Sequence, residues 1–265
     1  MGIERKNNIL LFLDFDGVIC DSEPECFESS SVAYSELKSS ENVSKSSEHR
    51  SLFRQLRPLI RSGEDYLVIQ DMLEEFVRNS KFRLATNQEE FDAYRNKLGS
   101  HTILKYKDMM ATTRQKLIKK NEESWLSLSQ LFPHMYKLLK THNLTNIRIL
   151  STKSASLVSK ILEGNGIFIP NKSILHAESN PDGKDVRKLD IITNEINNSE
   201  MVEAFFIEDQ LDHLLENSDY RISTFLADWG YILPSWLEKT TFLNQQKIKV
   251  INSTEIGNLF TIVDN

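Results

Sequence analysis

The segment Ile9-Leu10-Leu11-Phe12-Leu13 carries no polar residue. A strand whose two alternating faces are both apolar is buried on both sides, as in a parallel sheet covered by helices. Short runs that are mostly apolar return after residue 143, at 147–150, 174–175, 204–207, 222–227 and 247–251. Helical patterns lie between them. One spans 154–163 and stops at Gly164 or Gly166, since glycine readily ends a helix. Another spans 184–196, with Val186, Leu189, Ile192 and Ile196 near one face. A shorter one covers 211–216. Strands alternating with helices predict a parallel sheet joined by right-handed crossovers. The N-terminal run belongs to that sheet, because alone it could not bury its side chains.

Residues 22–143 read differently. They are rich in charge and hold no buried-strand run. Tyr66, Ile69, Met72, Leu73 and Phe76 fall at helical spacing within 64–77, and 131–140 carries the same period. Residues 39–50 hold serine and charge with almost no apolar residue but Val43, the mark of an exposed connection. The expected organisation is an α/β core domain with a Rossmann-like parallel sheet, formed by 1–21 and 144–265. An α-helical domain is inserted between them, at 22–143.

A chain of 265 residues, 40% hydrophobic and 26% charged, is long enough for such a core and a smaller domain. Its formal net charge of −6 argues against nucleic acid as a partner, because a phosphate backbone attracts basic surfaces. A small phosphorylated metabolite needs only local positive charge, so that class of partner stays open. Cys20 and Cys26 supply neither a disulfide framework nor a zinc cluster. The first residues lack an apolar signal segment distinct from the first strand, and no apolar run is long enough to cross a bilayer. The expected setting is cytoplasmic, with no membrane partner and with the oligomeric state open.

Asp14 and Asp16 stand where the first strand ends, and ligands of open α/β sheets gather outside the carboxyl ends of strands. A carboxylate there can attack phosphorus and form an acyl phosphate; a second can carry the proton. Gly17 permits a sharp turn and a close backbone approach, although Asp-Gly is also an ordinary turn pair. Ser151, Thr152 and Lys153 close the next strand. A hydroxyl at a strand tip donates to a phosphoryl oxygen, or it merely caps a helix. Pro181-Asp182-Gly183-Lys184 opens a helix where the compact charge of lysine can offset a phosphate. Lys188, one turn on, competes with it, and either is otherwise a solvated lysine. Glu208 and Asp209 follow the strand at 204–207. They suit Mg²⁺ as hard oxygen ligands, or they cap the helix that follows. Side by side at a buried strand tip, however, they repel unless a cation lies between them. Asp212 is either a supporting partner or an exposed helix residue. In the charged middle region Arg57 precedes Pro58, a neighbour that favours an extended backbone. From there it could reach an anionic substrate group or join a surface salt bridge.

Taken in order, Asp14-Phe15-Asp16-Gly17-Val18-Ile19, Ser151-Thr152-Lys153, Lys184 and Glu208-Asp209 resemble the four motifs of the haloacid dehalogenase-like superfamily. Thr152 departs from the asparagine of many relatives. Ala227-Asp228-Trp229-Gly230-Tyr231 resembles a segment after the last core strand of phosphoglycolate phosphatase relatives. A helical insertion directly after the first motif is likewise similar to the branch that holds those phosphatases and β-phosphoglucomutase. The resemblance implies a helical cap on the α/β core and Mg²⁺-dependent hydrolysis of a small phosphomonoester through an aspartyl-phosphate. It implies Asp14 as nucleophile, Asp16 as general acid and base, and Ser151 and Lys184 as stabilisers of phosphoryl charge. Mg²⁺ would be held by Asp14, the Asp16 backbone carbonyl, and Glu208 or Asp209. The separation from Glu208-Asp209 favours Lys184 over Lys188. Thr152 and Arg57 are further candidates for substrate contact. Asp16 argues against carbon–halogen cleavage, whose enzymes lack the second aspartate. A phosphomutase with the same intermediate, and a non-catalytic binding or regulatory protein on the same scaffold, are the alternatives.

Overall fold

The computed structural model describes residues 8–38, 46–177 and 187–264. The chain divides into two compact units: Met1–Asp21 with Leu131–Asn265, and Ser22–Gln130.

The second unit is built from α1 (Glu23–Lys38), α2 (Ser47–Leu56), α3 (Asp65–Arg78), α4 (Gln88–Leu98), α5 (Ser100–Lys120) and α6 (Glu122–Leu126). Asn87 and Asn121 start α4 and α6 by accepting from the backbone N–H groups of Glu90 and Ser124, which satisfies donors that a helix start leaves open. α1 packs against α3 and α5. The interior of this unit is aromatic: Phe27 meets Phe53 edge to face at 5.2 Å, and Tyr66 stacks on Phe53 at 6.1 Å. The helix predicted over 64–77 is α3. The exposed connection predicted over 39–50 requires correction at its far end. Residues 39–45 lie outside the described residues, but Ser46 accepts from the His49 N–H and caps α2, and His49 is buried. Arg57 is not extended either. It has φ −52° and ψ −38°, because Pro58 sits in the first turn of a short 3₁₀ helix, Arg57–Leu59, where no N–H is required of it.

In the first unit β1 (Ile9–Leu13), β2 (Ile147–Ser151), β3 (Ile174–His176), β4 (Glu203–Glu208), β5 (Ile222–Ala227) and β6 (Ile248–Ile251) form one sheet. Its order is β3-β2-β1-β4-β5-β6 and all its pairs are parallel. This is the α/β architecture with a Rossmann-like sheet that the sequence predicts. The strand order reverses at β1, which lies between β2 and β4, and such switch points open a crevice at the carboxyl ends of the strands. Leu13 is level with Ile149 and Ile207, so the loop after β1 leaves the sheet beside the ends of β2 and β4.

Helices of the same unit are α7 (Pro133–Thr141), α8 (Ala155–Gly164), α9 (Lys188–Asn197), α10 (Pro234–Glu238), α11 (Thr240–Gln245) and α12 (Ile256–Asp264). Leu10 and Phe12 of β1 share a buried cluster with Leu189, Ile192 and Ile196 of α9. Each such side chain, fully buried, stabilises the fold by about 1.5–3 kcal/mol. α12 packs on β1 through a buried stripe of Ile256, Leu259, Phe260 and Val263.

Three details differ from the sequence reading. The division falls between Gln130 and Leu131 rather than at 143, and α7 goes with the first unit. The reason is packing: Met135 and Leu139 are buried, and His142 meets Phe260 of α12 at 5.3 Å. The helix predicted over 211–216 is a 3₁₀ turn, Leu211–His213, started by the Gln210 side chain and followed by Glu216 at φ 57°. α9 begins at Lys188; the predicted start at Lys184 lies outside the described residues. No described helix is long and apolar enough to cross a membrane.

Candidate active site

β1 and β4 are neighbours, and each ends in acid. The Asp14 N–H donates to the Ile207 carbonyl at 2.9 Å, which carries the parallel ladder one residue past β1 and fixes Asp14 against the tip of β4. Asp14, Glu208 and Asp209 are all buried, and each offers a carboxylate oxygen within 4.8 Å of the others. Lys188, at the start of α9, donates to Asp14 Oδ1 at 2.7 Å and to Glu208 Oε2 at 2.6 Å. His213 Nδ1 lies 3.2 Å from the same Glu208 oxygen. The other one, Oε1, accepts from the backbone N–H groups of Asp209 and Gln210. Glu208 is thus held from several sides.

Asp209 is gripped differently. Its Oδ2 accepts from the Tyr231 N–H at 2.8 Å, and the backbones of Gly17 and Gly230 press against it. A Cβ at Gly17 would overlap the Asp209 carboxylate, and one at Gly230 would overlap its Cβ. Gly17 also has φ +93°, a conformation that side chains disfavour. Trp229 donates from Nε1 to the Val18 carbonyl at 3.1 Å, and the Tyr231 hydroxyl donates to Asp21 Oδ1 at 2.6 Å. The Trp-Gly-Tyr segment therefore ties the loop after β1 at both ends.

The charge balance is uneven. Burial, then the Glu208 charge, push the Asp14 carboxyl well above its usual range; Lys188 pulls it back without outweighing them, and Asp209 adds to the rise. Burial works against an ionised Glu208, but Lys188 and His213 outweigh it and hold that carboxyl well below the usual range. Burial also opposes the Lys188 ammonium, and Asp14 and Glu208 overcome it, raising its pKa. The Lys188 ammonium bonds two of the three buried carboxylates, Asp14 and Glu208. A divalent, oxygen-seeking cation is what this donor set lacks, so the residues fit such an ion.

The remaining candidates fall in several places. Asp16 lies on the loop after β1, with Lys153 Nζ 3.2 Å from its Oδ1. Ser151 is buried at the tip of β2, and its Oγ accepts from the Lys153 N–H. The Thr152 carbonyl oxygen is 3.2 Å from His176 Nε2. Arg57 is in the helical unit, buried, with its guanidinium 5.2 Å from the Tyr66 ring centre. Lys184, preferred from the sequence, lies outside the described residues; the lysine seen between Asp14 and Glu208 is Lys188. Its signal was the helical face it shares with Ile192 and Ile196. His213 was not foreseen and no motif marks it; Asp16 and Lys153 each stand in a motif, but the contact between them was not foreseen.

Solved structures named as haloacid dehalogenase-like proteins and phosphatases share this fold. Among solved structures the chain is similar to a haloacid dehalogenase-like family hydrolase from Streptococcus pneumoniae, at 16% identity and TM-score 0.55, over 96% of this chain and 99% of that one. It is similar to a predicted phosphoglycolate phosphatase from Haemophilus somnus, at 14% identity and TM-score 0.58, over 97% and 99%. A predicted phosphatase from Clostridium acetobutylicum matches at 14% identity and TM-score 0.52, over 96% and 98%. By sequence, no family model and no curated protein matches.

Proposed function

We propose that this chain is a Mg²⁺-dependent phosphatase of the haloacid dehalogenase-like superfamily. It hydrolyses a small phosphomonoester through an aspartyl-phosphate on Asp14. The observation that carries the reading is the buried convergence of Asp14, Glu208, Asp209 and Lys188 at the carboxyl end of the sheet. A structural ion pair of Lys188 with Asp14 and Glu208 would not need a third buried acid beside them. Names carried by the structural neighbours point the same way.

In this reading Asp14 attacks phosphorus and the ester oxygen leaves, taking a proton from Asp16. Water then attacks the phosphorus of the acyl phosphate, Asp16 takes a proton from it, and Asp14 is released with inorganic phosphate. Lys188 offsets the charge of the nucleophile and of the phosphoryl oxygens, and the Ser151 hydroxyl is a further donor to them. Mg²⁺ would be held by Asp14, Asp209 and the Asp16 carbonyl, with Glu208 behind them, and would neutralise phosphoryl charge. The inserted helices serve as the substrate-selecting cap, with Arg57 as the candidate for an anionic group, and the compartment is the cytoplasm. Hydrolysis of para-nitrophenyl phosphate tests the core of the reading. Activity is expected to require Mg²⁺ and to be abolished in Asp14→Asn, and equal rates for wild type and Asp14→Asn would refute it.

A further inference from the structure

Resting on that phosphatase reading, we infer that Lys153 is a positioning residue for Asp16, acting on the reaction only through that carboxylate. Lys153 follows β2, and the pairing of β1 with β2 sets the loops after the two strands side by side. Its own backbone is fixed, with the N–H donating to Ser151 Oγ at 3.1 Å. Its Nζ reaches across to Asp16 Oδ1 at 3.2 Å. The two ends of this pair differ in exposure: the lysine side chain is 2% exposed and the aspartate 15%. The lysine is therefore the anchored end and the carboxylate the presented one. A buried ammonium demands a nearby negative charge. Packing around Lys153 thus dictates where the Asp16 carboxylate stays, unlike a surface pair that exchanges partners with water.

Aryl and alkyl esters divide the work of Asp16. With para-nitrophenyl phosphate the bond from an Asp14 oxygen to phosphorus forms as the bond to the aryloxide breaks. The aryloxide leaves with the electron pair and needs no proton. In the second step a water oxygen bonds to phosphorus, the bond to Asp14 breaks, and one water proton passes to Asp16 while the other stays on the phosphate. A misplaced Asp16 slows only this second step.

Rapid-mixing kinetics with that substrate test the inference. In Lys153→Met the first turnover is expected to stay within about threefold of wild type while the steady-state rate falls about tenfold or more, with the phosphorylated enzyme accumulating. Adding Lys153→Met to Asp16→Asn is expected to cost nothing further in rate. This double variant removes the charge at both ends of the pair, so it keeps the test alive if Lys153→Met alone does not fold. Equal loss in both phases, no loss in either, or a further loss in the double variant overturns the role of Lys153 while an active wild type leaves the phosphatase reading standing. A wild type that fails to turn over, or an Asp14→Asn variant as active as wild type, ends both.

Discussion

Lys188 shows how much a single residue can be asked to do. Its ammonium serves two buried carboxylates at once, so removing it takes that charge from both, although His213 and two backbone N–H groups still hold Glu208. Lys188→Met is expected to lower stability by about 3 kcal/mol, the cost typical of breaking a buried pair. Urea unfolding measures it. Turnover of para-nitrophenyl phosphate should fall about a hundredfold, as when one charge-stabilising group is lost. Lys184→Met is expected to leave both quantities near wild type, and the reverse outcome would return the role to Lys184. The acids of the site were legible because each follows an apolar run, and the end of such a run can be read to within a residue. The lysine was harder, because the start of its helix is set by packing of Leu189, Ile192 and Ile196 against the sheet rather than by the proline and glycine before it. Gly17 could be read as a turn, but its close approach turned out to be toward Asp209. Gly17→Ala is expected to cost about 1–3 kcal/mol from the positive φ alone and to displace Asp209. A variant with wild-type thermal midpoint and Mg²⁺ response would contradict that crowding.

Elements were legible in proportion to how fully they are buried. β1 is a central strand of a parallel sheet and shows as an unbroken apolar run; α5 and α12 were not singled out at all. In α5 the buried residues are spread thinly over a long charged helix, and α12 owes its burial to a strand at the far end of the chain. α1 and α2 also hold each other through charge, which no periodicity reports. Glu23 accepts from Arg50 at 3.1–3.2 Å and from Arg54 at 2.8 Å. Burial raises its pKa, yet the two arginines outweigh it and hold the carboxyl below its ordinary value. A carboxyl depressed in this way contributes stability above its unfolded pKa, near 4.3, and loses that contribution as pH falls toward the folded value. Both arginines are well solvated, so the effect is small. Glu23→Gln is expected to cost about 1 kcal/mol at neutral pH. The gap between variant and wild type should hold constant above about pH 5 and close toward pH 3. Chemical unfolding across that range checks it, and a gap that widens in acid would reverse the sign argued here.

At the scale of the whole molecule the site works against the fold that builds it. Three carboxylates converge at the tips of β1 and β4, and the repulsion between Asp14 and the adjacent pair Glu208-Asp209 belongs to the folded state alone, because an unfolded chain separates Asp14 from that pair. A ligand that binds only the folded form adds stability by mass action, about 2.7 kcal/mol at a hundred times its dissociation constant. For a chain of this size that is a rise of several degrees in thermal midpoint, at about 2–4 °C per kcal/mol. Mg²⁺ is therefore expected to raise the midpoint, and Na⁺ at equal ionic strength is not. Asp209→Asn separates the two consequences of the charge excess. Its amide oxygen can still accept from the Tyr231 N–H, so the loop contacts stay, while one of the repelling charges is gone. Without Mg²⁺ this variant is expected to melt at or above the wild-type temperature; with Mg²⁺ it should show little further rise and little turnover. An Asp209→Asn protein that melts well below wild type without metal, or that keeps the full Mg²⁺ response, would mean that the acids at the strand tips are held by the fold for their own sake rather than for a cation.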